Sequence, residues 1–103
     1  MIFSNWRRLT ENEVRMAKQV FADSIDFNRI KIYRGIPLLP NPNTAIAPNG
    51  NIYFPRKHCP DDFTQAGIAY KIWLIHELTH VWQHQRGHKV WLSGLLIMLK
   101  GGY

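Results

Sequence analysis

Residues 74 to 87, LIHELTHVWQHQRG, place three histidines and one carboxylate within nine positions among apolar neighbours. His76 and His80 stand four apart, one helical turn, so their imidazoles can converge on one ion. Neutral imidazole is a good zinc ligand, and Glu77 lies beside the pair where it can hydrogen-bond a water held by the metal. This is the H-E-x-x-H arrangement, in which a metal acidifies water and the glutamate takes the proton. His84 extends the ladder, but it lies about 12 Å along the axis from His76, too far to share one ion. It reads instead as a residue at the rim.

A catalytic zinc takes three protein ligands and a water. Arg86 and Gln83 stand where a metzincin needs its third histidine and its glycine, and no Asp or Glu follows Glu77 to act as a thermolysin-like ligand. The candidates left in the chain are His88 just past the helix, His58 and Cys59 in the turn before it, and Asp61 and Asp62. An acidic residue from another chain, or from sequence missing here, is the remaining source.

The motif needs a helix, and the pattern predicts one from about 63 to 86, with Asp61 or Asp62 capping its start and Gly87 stopping it. On a wheel at 100° per residue, the aliphatic residues Ile68, Ile72, Leu74, Ile75, Leu78 and Val81 fall on one side. His76, Glu77, His80 and His84 fall on the other, as the floor of a cleft would require. Upstream, Thr10 and Glu13 form a capping box for a helix from about 11 to 22, with Val14, Ala17, Val20 and Phe21 as its buried stripe. Ile30 and Ile32 alternate with polar neighbours as a half-buried strand ended by Gly35. Residues 36 to 48 carry four prolines and read as a loop. Asn49-Gly50 is a tight turn into a short strand, Ile52 to Phe54, which Pro55 ends at a sheet edge. That strand is expected to pair with an extended peptide. Residues 89 to 100 read as a short helix or apolar segment packed on the long helix.

One domain spans residues 1 to 103, with 46% hydrophobic and 19% charged residues, a globular composition. Cys59 is the single cysteine, so no intrachain disulfide staples the fold. The charge of +6 and pI near 9.8 invite a nucleic-acid reading, and otherwise fit a solubility feature or an attraction to acidic surfaces such as a bacterial envelope. The basic residues form no run longer than two, however, and nucleic acid is not expected as the partner. The longest apolar run, VWLSGLLIML, is half the length of a membrane span. The start of the chain carries no signal peptide, so synthesis in the cytoplasm is expected.

LTENEVRMAKQVFADSIDFNRIKIYRG, PNGNIYFP, DDFTQ and above all LIHELTHVWQHQRG resemble the Vgr-related zincin-like metallopeptidases of bacteria, from about Leu9 to Tyr103. The resemblance implies an α+β, minimal zincin-like domain with a small antiparallel sheet packed on a long active-site helix. It implies zinc (Zn2+) held by His76 and His80, Glu77 as general base, and hydrolysis of peptide bonds in a peptide or protein substrate. It also implies export by a type VI-like system, with a secretion-spike or immunity protein as partner; a homo-oligomer stays open. The family has a further helix whose glutamate supplies the third ligand, and this chain stops before it. The alternative expectation is therefore a truncated, weak or inactive module that acts by binding a spike or partner protein.

Overall fold

The computed structural model describes residues 5–37 and 43–87. The expectations for His88 and for the segment 89 to 100 lie outside the described residues. The chain is α+β: three short strands form one sheet in the order β1-β2-β3, and two helices pack with it. β1 is Trp6–Arg7, α1 Glu11–Phe21, β2 Ile32–Arg34, β3 Ile52–Phe54 and α2 Ile68–Gln85. Single 3-10 turns at Phe27–Arg29, Arg56–His58 and Phe63–Gln65 punctuate the connections.

The sheet is mixed, where an antiparallel one was expected. β1 pairs antiparallel with β2, whereas β2 and β3 run parallel in the register Ile32↔Ile52, Tyr33↔Tyr53, Arg34↔Phe54. The proline-rich connection from Gly35 to Asn51 is long enough to carry the chain back before β3 begins, as parallel pairing demands. The Asn49-Gly50 turn closes a narrower loop, in which Ile46 and Tyr53 exchange both backbone hydrogen bonds, at 3.0 and 2.8 Å. β3 is thus an edge strand whose outer side is already occupied at Tyr53, and the expected pairing of a peptide along it does not hold there.

α1 starts as its capping box requires: Glu13 N–H donates to Thr10 Oγ1 at 3.1 Å and Thr10 N–H donates to Glu13 Oε1 at 2.9 Å. Its buried face differs from expectation. Glu13 and Ala17 are buried, while Val20 is 60% exposed. Glu13 is held inward by a bidentate pair from Arg7 (2.8 and 2.9 Å) and by the Phe63 N–H (2.7 Å). Val20, seven residues on, stands on the same side of the helix as Glu13, so its exposure belongs to the last turn of α1 and not to a rotation.

α2 begins later than the pattern predicts. The Asp62 carboxylate does act as a cap, accepting from Thr64 N–H at 2.9 Å, but the element it caps is the 3-10 turn Phe63–Gln65. Gly67, at φ 106, then breaks the path before Ile68. The end falls as expected, Gly87 taking φ 90 after the last turn. The core gathers Ile30, Ile32, Ile52, Phe54, Phe63, Leu74, Leu78 and Val81, all fully buried between sheet and helices. Phe54 sits edge-on to Trp73 of α2, ring centroids 5.0 Å apart, which fixes the sheet against the helix that carries the histidines.

Candidate metal centre

α2 presents its chemistry differently from the simple wheel. Leu74, Glu77, Leu78 and Val81 are its buried residues, while Ile68 and Ile72 are 69% and 63% exposed. The face that meets the core is therefore rotated toward Glu77. The rotation is set by Trp73 and Tyr70, whose rings join Phe54 and Phe63 in one aromatic cluster. Large flat rings bury more apolar area than the isoleucines they displace from the core side.

His76 and His80 lie on the open flank of the helix, next to the buried face. Their ring centroids are 5.1 Å apart with planes at 81°, a spacing that lets one nitrogen from each approach a common point. His76 keeps 51% of its side chain exposed, and Glu77, 1% exposed, brings Oε2 to 3.8 Å from His76 Nε2. A carboxylate sealed from water at the foot of an open imidazole pair, rather than beside it in the cleft, corrects the expected orientation of Glu77.

His80 is oriented by a residue that the motif does not name. Its Nδ1 lies 3.2 Å from Gln83 Oε1; with that oxygen accepting, Nδ1 carries the proton and Nε2 keeps its lone pair. Burial holds the His80 pKa below the usual imidazole value, and the nearby His76 pushes the same way, against the Gln83 hydrogen bond. Neutral imidazole is the form that binds metals. The only sequence signal for Gln83 is its place three residues after His80, one turn on along the same face.

The described candidates for a third ligand are engaged elsewhere. His58 Nδ1 meets the Tyr70 hydroxyl at 2.9 Å. The Cys59 thiol faces the Tyr33 carbonyl, and burial pushes its pKa up despite the pull of Arg7 and Arg34. Asp61 pairs with Arg34, and Asp62 serves Thr64 and Asn12. His84 packs on the Asn49-Gly50 turn, where a Cβ built on Gly50 would fall 2.7 Å from His84 Cδ2. It is a strut between turn and helix, where a rim position was expected. Two imidazoles and an adjoining buried carboxylate are donors that suit a divalent ion of the zinc type. Among the described residues, no group of three His, Cys, Asp or Glu side chains gathers to hold one.

Fold and site together define a small α+β domain built round an H-E-x-x-H helix. No protein-family model matches the chain. Over 91 residues it is 40% identical to the type VI secretion system spike protein VgrG2b of Pseudomonas aeruginosa, an alignment covering 85% of this chain and 9% of that protein. The solved effector domain of Pseudomonas aeruginosa VgrG2b is similar with a TM-score of 0.75 and 32% identity, over 94% of this chain and 58% of that one. The chain is homologous to that effector domain and spans somewhat more than half of its length. No helix among the described residues is long and apolar enough to cross a membrane.

Proposed function

We propose that the chain is a zinc-dependent peptide-bond hydrolase of the H-E-x-x-H type, acting as a secretion-associated effector. The observation that carries the reading is the pairing of His76 and His80 on adjacent turns with the buried Glu77 carboxylate 3.8 Å from His76 Nε2. His76 and His80 would hold the ion, which when bound supplies a Lewis acid that polarises the peptide carbonyl and acidifies water. Gln83 keeps the His80 ring turned so that Nε2 stays available. Glu77 takes the proton from the attacking water and returns it to the leaving amine nitrogen as the C–N bond breaks. Its burial keeps competing solvent from the carboxylate and supports a role as a proton carrier. The likeness to the VgrG2b effector domain supports delivery by a type VI spike, while the peptide or protein substrate rests on the H-E-x-x-H motif alone.

The lack of a third ligand among the described residues favours a second reading, a zincin-like module that binds a spike or partner protein without turnover. Elemental analysis of the purified chain, with His80→Ala beside it, separates the metal claim from both. One zinc per chain, lost in the variant, is expected. Equal zinc in both proteins, or none in either, rejects the site. Zinc at full stoichiometry with no cleavage of denatured casein leaves the module as the answer.

A further inference from the structure

The sheet has a second face, which the metal site does not use. Ile32, Ile52 and Phe54 point into the core. The alternate positions form one row across the three strands, Trp6↔Tyr33↔Tyr53, on the opposite side. Tyr33 and Tyr53 stack with centroids 4.5 Å apart and planes at 10°. Trp6 is 36% exposed and carries Arg8 and Lys31 over its ring at 5.1 and 4.7 Å. Beside the tyrosines a hollow of about 400 Å3 opens, lined by Asn5, Arg34, Gly35 and Arg56 as well as the two rings.

The charge of this region is one-sided. Residues 5–8, 31–37 and 49–58 hold Arg7, Arg8, Lys31, Arg34, Arg56 and Lys57 and no Asp or Glu. Arg7 is committed to Glu13, and Arg34 reaches the exposed Asp61. Arg56 is exposed and has no hydrogen bond or ion pair among the described residues, and its guanidinium lies over Gly35, within 3.8 Å of where a Cβ would stand. A guanidinium fork at the mouth of a hollow walled by tyrosine edges suits a carboxylate next to an apolar side chain.

We propose that this hollow docks an acidic peptide segment, its carboxylate on Arg56 and a neighbouring aliphatic side chain against Tyr33 and Tyr53. A single-stranded nucleic acid is the other polyanion with flat groups, and the geometry disfavours it. The tyrosines stack on each other, which covers one face of each ring, and cations already lie over the Trp6 ring, so fewer faces are left for a run of bases to stack on. The docking site is independent of the peptidase reading, because no metal ligand and no proton of Glu77 takes part.

Fluorescence anisotropy with the whole chain tests it, using a fluorescein-labelled Glu-Glu-Leu-Glu-Glu peptide. The probes beside it are the Gln-for-Glu peptide and a labelled oligothymidylate of equal charge. The acidic peptide is expected to bind and the Gln peptide not to. Arg56→Gln is expected to weaken binding about tenfold, the loss of a charge-assisted fork, while Lys18→Gln on α1, an equal change in net charge, leaves it unchanged. Both variants alter exposed side chains, and circular dichroism checks that they fold. Equal losses in the two variants, no binding of the acidic peptide, or tighter binding of the oligothymidylate would overturn the proposal.

Discussion

Gly50 and His84 illustrate how a residue that looks chemical can be mechanical. His84 continues the i, i+4 ladder of His76 and His80, yet its ring fills the space over a glycine held at φ 85. Gly50→Ala meets two separate penalties: left-handed backbone, costing about 1–2 kcal/mol, and a methyl group driven into the imidazole. His84→Ala removes only the second. In urea denaturation the double variant is therefore expected to be more stable than the sum of the two single changes implies, while staying below wild type. Strict additivity would mean that the two side chains do not meet. The placing of His76 and His80 on adjacent turns of one helix was legible in the sequence because their spacing is itself the signal, whereas the burial of Glu77 was not. Gln83 and the strut role of His84 were not, since each depends on what the chain places opposite, and a lone sequence does not print that.

At the level of the element, α2 shows what periodicity conveys and where it stops. Its helical state, its end at Gly87 and the flank carrying the histidines follow from the pattern of residues. Its start does not, because Gly67 breaks the path that Asp62 opens. Nor does its rotation, because hydropathy ranks Ile68 and Ile72 above Tyr70 and Trp73, while the core takes the rings. In α1 hydropathy likewise ranks Val20 above Glu13, yet the paired carboxylate is buried and Val20, in the last turn, is exposed. Two substitutions measure the rotation directly. Leu78→Ala is expected to cost about 2–5 kcal/mol, as a fully buried leucine does. Ile72→Ala, at an exposed site, is expected to stay within about 0.5 kcal/mol. Similar losses at both positions in chemical denaturation would place Ile72 in the core after all.

Over the whole molecule, the Arg7–Glu13 pair joins what the sheet alone cannot. Glu13 is fully buried and binds Arg7 of β1, its own helix start at Thr10 and the Phe63 N–H before α2, while Arg7 also donates to the Pro60 carbonyl at 2.9 Å. Burial alone would lower the Arg7 pKa, but the hydrogen bond and charge of Glu13 raise it, so the guanidinium stays charged. Arg7→Ala leaves that carboxylate buried without its main partner and is expected to cost about 3–5 kcal/mol. A loss under about 1 kcal/mol in urea would reduce the pair to an ordinary surface bridge. Through Phe63 and its ring contact with Phe54, this node braces the surface on which Trp73 and the rest of α2 lie. In the proposed reaction Glu77 would move a proton next to a zinc held by His76 and His80. The most direct test of that step is to measure zinc content and peptide cleavage together for wild type and Glu77→Gln. An active wild type, beside a variant that keeps its zinc and loses cleavage by at least about a hundredfold, is the predicted result. A variant that cleaves as fast as wild type with the same zinc would contradict it.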